Sequence, residues 1–259
     1  MLDGRIHAVK DWVGERLAGT VFAAPIEYAI DTLYGLRHPT LLASGATREE
    51  EVAALPGDQL IPTPMWQATR AETIHGPAAA VWPWLVQMGW DRGGWYAWSY
   101  FDPQGKGSAR RISKKHQQLR VGDVLLDGPG CHERKGAWTV KSVEPGRAIV
   151  LHSLRDPISG RELEPRRRGS RFIDCAWSFV LDQVDQRTSR LVVRTRVTFG
   201  PRWASLPMRM VFGPGDTVWQ RMMLRGIKER AERAPRRTGR RTPTVPVAPD
   251  GSGTVTGAA

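Results

Sequence analysis

The chain has 259 residues, of which 41% are hydrophobic and 25% are charged. This balance is typical of a globular protein, and it excludes a wholly disordered chain, a collagen-like repeat and a small disulfide-rich scaffold. The formal net charge is +12, and residues 161–259 alone hold 20 basic and 9 acidic side chains, a net charge of +11. Two cysteines, Cys131 and Cys175, are too few for a disulfide framework, so we expect a reducing, cytoplasmic location.

The first 64 residues carry weak hydrophobic patterning, and we predict a partly helical N-terminal extension there. Its most apolar stretch, residues 17–30, is 14 residues long and contains a proline and a glutamate. Because a spanning helix needs about 20 apolar residues, we expect no membrane span. Thr47 and Glu50 have the spacing of a capping box, which predicts a short helix through Ala54.

Residues 65–234 carry the periodic apolar pattern of a folded domain, and the Pro- and Arg-rich residues 235–259 are predicted to be a disordered basic tail. Pro214, Gly215 and Asp216 predict the start of a long closing helix, whose apolar residues recur at three- and four-residue spacing. Ahead of it we predict a strand over 67–74, a helix over 78–88, short strands over 121–126, 137–143 and 148–153, and a hairpin of 174–181 with 190–199.

Alternation along the hairpin predicts one inward and one outward face. The inward set comprises Cys175, Trp177, Phe179, Leu191, Val193, Thr195 and Val197. Arg194 and Arg196 then lie on the outer face, where we expect them to pair with acidic side chains. The order of strand, helix, antiparallel strands and long helix is α+β, and the sheet must curl around the final helix to bury its apolar stripe.

Several segments together resemble the START-like helix-grip superfamily, also called SRPBCC, and in particular the polyketide cyclase/dehydrase-like SRPBCC proteins of actinobacteria. The resemblance covers about residues 45–233. The segments that carry it are 68–77 (ATRAETIHGP), 81–89 (VWPWLVQMG), 92–98 (RGGWYAW), 119–123 (LRVGD), 188–196 (TSRLVVRTR) and 224–232 (LRGIKERAE), preceded by 45–50 (GATREE) and 55–58 (LPGD).

The resemblance implies a curved antiparallel sheet wrapped around a long C-terminal helix with an internal cavity. We therefore expect the chain to bind or carry a small hydrophobic or aromatic molecule, such as a lipid, an isoprenoid or a polyketide-like compound. Tandem aromatic residues in a Gly-rich loop and adaptable methionines suit such a lining, although the same residues also suit an ordinary core. The predicted lining residues are Met88, Trp95, Tyr96, Trp98, Trp177, Val193 and Met223.

Three alternatives to carriage stay open in the sequence. A cyclase or dehydrase would use the same cavity and needs an internal acid or base, for which His152 is the one candidate. The basic loop 161–171 suits peripheral contact with an anionic membrane. Nucleic-acid binding fits the high charge, but no helix-turn-helix, zinc-finger or RNP pattern accompanies it. The six histidines show no metal-ligand spacing, so we predict neither a metal nor a cofactor. The sequence leaves the oligomeric state open.

Overall fold

The computed structural model describes residues 29–30, 44–97, 107–128, 131–133, 135–165, 169–201, 203 and 205–233, with side chains described outside 205–212. Most of the N-terminal extension, the predicted tail, Trp98 and the run Arg166 to Arg168 lie outside the described residues.

Nine α-helices and β-strands, besides two short 3-10 helices (Asp58–Leu60 and Lys114–His116), are found in the described part of the chain. They are α1 (Arg48–Val52), β1 (Trp66–Ile74), α2 (Ala78–Val86), β2 (Val124–Leu126), β3 (Ala137–Glu144), β4 (Ala148–Arg155), β5 (Phe172–Asp185), β6 (Thr188–Gly200) and α3 (Ser205–Arg233).

The six strands form one antiparallel sheet in the order β1-β6-β5-β4-β3-β2. Strands β2 to β5 are each paired with the next strand along the chain, and β1 lies at the other edge, where it pairs with β6. The inner face of this curved sheet packs against α3, since Phe179, Val193 and Ile227 belong to one buried core. A curved antiparallel sheet with a long C-terminal helix on its inner face is the helix-grip arrangement that the sequence predicts.

The hairpin faces are as predicted. Trp177, Phe179 and Val193 point toward α3, and the opposite face carries Arg194 and Arg196. This outer face is covered by the part of the extension that the structure describes, residues 44–64. The capping box of α1 is present, with the Thr47 hydroxyl accepting from the Glu50 N–H and the Glu50 carboxylate accepting from the Thr47 N–H.

Arg194 joins the outer face to this extension segment. The Arg194 side chain is only 2% exposed. Its guanidinium donates to the carbonyls of Glu50, Glu51 and Ala53 and forms an ion pair with Asp58 at 2.8 Å. Arg196 pairs with the same carboxylate at 3.1 Å. Both arginines therefore pair with acidic side chains, and residues 44–64 pack as part of the folded unit.

The start of α3 differs from the prediction. The helix begins at Ser205, so Pro214 lies inside it. Proline lacks the N–H that an interior helix position donates, and for that reason the sequence pattern indicated a boundary there. The structure instead continues the helix through this position, and the Thr217 hydroxyl donates to the Gly213 carbonyl at 2.8 Å.

Candidate binding site between the sheet and the C-terminal helix

Five aromatic rings meet between the inner face of the sheet and α3, and we call them the aromatic cluster. Trp177 lies at its centre, with ring centroids 5.3 Å from Trp95, 5.3 Å from Trp138, 4.7 Å from Phe179 and 5.6 Å from Trp219. Four of the rings are buried, and Trp219 on α3 is half-buried at the edge. Rings at these separations form a continuous apolar, polarizable surface.

The loop that follows α2 brings Trp95 into this cluster, and Tyr96 fixes that loop in place. The Tyr96 hydroxyl donates to the Trp84 carbonyl at 3.0 Å, and its ring lies edge-on to Trp84 and beneath the Arg230 guanidinium. Tyr96 has a φ of 62°, and its carbonyl lies against Gly226 of α3, where a Cβ would be 2.2 Å from that oxygen. Burial raises the pKa of the Tyr96 phenol well above its ordinary value. Tyr96 therefore anchors the loop as a neutral phenol.

A group of buried polar residues, which we call the polar cluster, adjoins the aromatic cluster. Arg70 on β1 donates to the Thr217 hydroxyl at 2.7 Å and pairs with the Asp216 carboxylate at 3.1 Å. The Gln220 amide donates to that carboxylate at 3.0 Å and to the Thr195 hydroxyl at 2.8 Å. The two clusters meet because Thr195 is the cross-strand neighbour of Trp177 and because Trp219 and Gln220 are consecutive on α3.

Some hydrogen-bonding atoms of these clusters lack partners among the described residues. They are Nε and Nη1 of Arg70, Oε1 of Gln220 and the indole Nε1 of Trp177. Arg70 and Gln220 are 2% and 1% exposed. A buried donor or acceptor without a partner costs about 1–3 kcal/mol, so native structures rarely keep several in one place without a reason. Between them these atoms offer three donors and one acceptor to a bound molecule.

Asp216 of α3 is the acidic group of the polar cluster. Burial raises the pKa of its carboxyl, while the Arg70 charge and the hydrogen bond from Gln220 act in the opposite direction. A buried carboxyl with a raised pKa is closer to accepting or releasing a proton near neutrality than an exposed one.

Six of the seven predicted lining residues lie in one place. Met88, Trp95, Tyr96, Trp177, Val193 and Met223 all belong to the single large core between the sheet, α2 and α3. They are close to fully buried and belong to the same packed core. Trp98 lies outside the described residues. That they line a cavity for a ligand stays a prediction.

His152 does not lie with the other predicted site residues. On β4 it points to the outer face, where its Nε2 lies 2.8 Å from Oδ1 of Asp174. It borders a shallow pocket of about 90 Å³ whose walls also include Thr139, Lys141 and Glu162. A drug-sized ligand needs about 300–1,000 Å³. His152 therefore does not fit the role of an internal base, because the neighbouring Leu151 takes the inward position on this strand.

The sequence analysis missed the polar cluster. Arg70 is separated from Ala68 and Ile74 by an even number of residues, so all three side chains lie on the same face of β1. This period of two is the sequence signal that could have shown that Arg70 faces inward. Asp216 was interpreted as part of the start of this helix, and no role was predicted for Gln220. In the longer helix that the structure shows, both side chains face the sheet.

Two further findings concern only the described part of the chain. Within it, no cluster of three or more His, Cys, Asp or Glu side chains could hold a metal ion. The described helices include none that combines the length and apolar character needed to cross a membrane.

No protein-family model matches the chain, and no curated protein matches it either. Solved structures do. The Zhui aromatase/cyclase from Streptomyces sp. R1128 is 14% identical, with 67% of this chain and 98% of that chain covered and a TM-score of 0.37. The di-domain ARO/CYC BexL from the BE-7585A biosynthetic pathway is 13% identical, over 65% of this chain and 47% of that one, with a TM-score of 0.32.

A hypothetical protein from Helicobacter pylori, jhp0584, is 13% identical, covers 67% of this chain and 95% of its own, and has a TM-score of 0.40. The structural neighbours therefore include polyketide aromatase/cyclases beside hypothetical proteins.

Proposed function

We propose that the chain binds a small, flat, largely apolar molecule that carries carbonyl or hydroxyl oxygens, and that it does so between the sheet and α3. The observation that carries this proposal is the meeting of the aromatic cluster with buried, unpartnered polar atoms of Arg70, Gln220 and Trp177. An aromatic face against the rings removes apolar area from water, at about 25 cal/mol per Å² before the costs of association. Oxygens at its edge satisfy the unpartnered donors.

The charge of the polar cluster favours a neutral ligand over an anion. The Arg70 guanidinium already pairs with the Asp216 carboxylate at 3.1 Å, so the two charges balance. An added carboxylate would be desolvated without a net positive partner, which is costly in a buried site. A ketone, quinone or phenol loses much less hydration and still accepts from Arg70 or donates to Gln220.

Entry of this ligand requires the rings of the aromatic cluster to separate. Trp219 is the ring best placed to move, because it is half-buried and lies on α3 at the edge of the cluster. Its movement opens the space beside Trp177 and Gln220, where the unpartnered atoms lie.

The first test is native mass spectrometry of the purified chain, followed by extraction and identification of any bound molecule. The second is titration with 2,6-dihydroxynaphthalene, a flat neutral probe whose hydroxyls are free to donate, read out by tryptophan fluorescence. We expect saturable quenching that is at least about tenfold weaker in Gln220→Leu, because the probe's hydroxyl loses its acceptor. The exposed Gln118→Leu should titrate like the wild type. No bound molecule together with no saturable quenching would overturn the proposal.

A cyclase-type enzyme is the second candidate, and Asp216 is the observation that favours it. A buried carboxyl with a raised pKa beside Arg70 is a reasonable acid or base for moving protons on a bound polyketone. If the chain is such an enzyme, we expect the Asp216→Asn variant to lose turnover of a poly-β-ketone. Its tryptophan fluorescence should still be quenched by the neutral probe. His152→Asn should leave turnover unchanged, since His152 lies on the outer face. Equal turnover by wild type and Asp216→Asn would exclude this role.

A further inference from the structure

A second feature lies outside the proposed ligand site. Residues 107–121, which we call the basic strap, contain five Lys and Arg residues and no Asp or Glu. The strap follows the loop of Trp95 and Tyr96 along the chain and runs back over α2. The Ser113 N–H donates to the Gln87 side chain just after the end of α2, and the Gln117 amide donates to the Pro83 carbonyl one turn earlier. It is not the basic loop 161–171 that the sequence analysis singled out.

Polar side chains that follow α2 or belong to α3 hold the backbone of the strap in place. The Gln87 amide oxygen accepts from the Ser113 N–H at 2.9 Å, and Arg92 donates to the His116 carbonyl at 2.9 Å. Arg230 of α3 donates to the Ala109 carbonyl at 2.9 Å. The strap is thus fixed at its beginning, middle and end, and its long side chains are left to project outward.

The basic side chains of the strap are exposed and uncompensated. Arg110, Arg111, Lys114, Lys115 and Arg120 are all exposed, and none of them forms an ion pair with any residue the structure describes. Elsewhere on the described surface, Arg147 pairs with Glu144, Arg171 with Asp156 and Arg233 with Glu229. A fixed surface of one charge sign repels itself, and an anionic partner relieves that repulsion.

Apolar side chains are exposed within the same strap. Ile112, between two pairs of basic residues, is 43% exposed, and Val121 at its end is 64% exposed. Apolar side chains among cations suit the interface of an anionic bilayer, where the cations meet headgroups and the apolar groups enter the acyl boundary. A nucleic-acid backbone offers phosphates but gives Ile112 and Val121 no apolar partner.

We propose that the basic strap docks the protein on anionic phospholipid surfaces. The proposal stands on the strap alone and holds whether or not the interior binds the molecule proposed above.

The experiment is flotation of the full-length chain with vesicles of phosphatidylcholine alone and of phosphatidylcholine with 30% phosphatidylglycerol. The strap variant is R110Q/R111Q/K114Q/K115Q. Its matched control, R48Q/K141Q/R147Q/R187Q, removes four exposed charges elsewhere and lowers the net charge equally. Each basic side chain near an anionic surface contributes about a factor of five in partitioning, so we expect the loss of four such side chains to weaken vesicle binding by nearly three orders of magnitude. The control should lose less than about fivefold.

The Ile112→Ser variant distinguishes binding to lipid from binding to nucleic acid. It should weaken vesicle binding several-fold and leave binding to a 20-base-pair DNA duplex unchanged. Binding confined to phosphatidylglycerol vesicles, weakened by raised salt and lost in the strap variant only, supports the proposal. No flotation of the wild type, equal loss in strap variant and control, or strap-dependent binding of the duplex without vesicle binding would each overturn it.

Discussion

Arg70 and Asp216 form an ion pair whose members are both shielded from water, with side chains 3% and 13% exposed. Removing one partner leaves the other charge buried and unpaired. We therefore expect Asp216→Asn to lower the free energy of unfolding by about 3 kcal/mol at pH 7, measured by urea denaturation. Glu229→Gln, which breaks an exposed pair with Arg233, should cost less than about 1 kcal/mol.

The double variant R70M/D216L removes both charges and supplies apolar groups in their place. It should be more stable than Asp216→Asn, because no unpaired charge remains. If the double variant is the less stable of the two, the pair itself contributes net stability and this account of the single variant is wrong.

Asp156 gives the protein a stability that depends on pH. Burial opposes its ionisation, but hydrogen bonds from the Ser159 N–H, the Arg171 guanidinium and the Ile158 N–H outweigh burial and lower the pKa from 3.8 to about 2. Because the folded-state pKa is depressed, the stabilisation is fully present above the unfolded pKa and is lost as the pH falls toward the folded one. It amounts to about 2 kcal/mol at pH 7 and about half of that at pH 3.

Unfolding of wild type and Asp156→Asn at pH 7, 4.5 and 3 checks this expectation. The gap between the two should be nearly constant from pH 7 to 4.5 and then narrow by about half at pH 3. The exposed Asp182→Asn serves as the control and should show no such gap. A gap that stays constant down to pH 3 would show that Asp156 stabilises the turn through geometry alone.

At the scale of elements, α3 packs tightly at Gly226 against the loop that carries Trp95 and Tyr96. An alanine there gains about 1 kcal/mol of helix propensity, but its Cβ would lie 2.2 Å from the Tyr96 carbonyl oxygen. Because that neighbour is backbone, the loop must move, and Trp95 moves with it. We expect Gly226→Ala to lose about 1–3 kcal/mol of stability in urea denaturation.

A second readout accompanies this variant. The near-ultraviolet circular dichroism of the tryptophans should change in Gly226→Ala, because Trp95 stacks on Trp177 at 5.3 Å. Glu229→Ala on the exposed side of α3 should leave both the spectrum and the stability within about 0.5 kcal/mol of the wild type. A Gly226→Ala variant as stable as wild type would mean that the loop shifts at no cost.

Local signals were enough to predict most elements. The hairpin was predictable because its two faces alternate strictly, and α1 because a capping box depends on two residues three apart. The start of α3 was not predictable, since Pro214 is a valid helix boundary by local rules and only the full helix shows that it is interior. Rules that apply to short windows cannot tell these cases apart.

At the scale of the molecule, the residues of the site come from segments far apart in the chain. Tandem aromatic residues were a local signal that pointed to Trp95, but the polar cluster joins β1 to α3 across about 145 residues. No spacing rule links Arg70 to Asp216. Their pairing follows only from β1 lying next to β6 with α3 across its inner face. The buried apolar residues could therefore be predicted from local sequence signals. The polar cluster could not, because its members are far apart in the chain.

The extension segment, residues 44–64, is predicted to be part of the folding unit and not a separable leader. A chain that begins at residue 65 loses the carbonyls and the carboxylate that Arg194 contacts, leaving a buried guanidinium unsatisfied. We expect it to be at least about 3 kcal/mol less stable than a chain that begins at residue 44, measured by urea denaturation. Equal stability of the two chains would place the domain boundary at residue 65.

The position of β1 beside β6 also has a consequence for synthesis. Among the described strands β1 is made first, and the strand it pairs with, β6, is completed about 125 residues later, an interval of about 6–25 s at ribosomal rates. Strands β2 to β6 can pair with their sequence neighbours as they emerge from the ribosome. β1 and the apolar α2 instead remain without their packing partners until later segments are made. A nascent chain that ends before β6 therefore presents this early segment unpartnered, and we expect chaperones at the ribosome to bind it there.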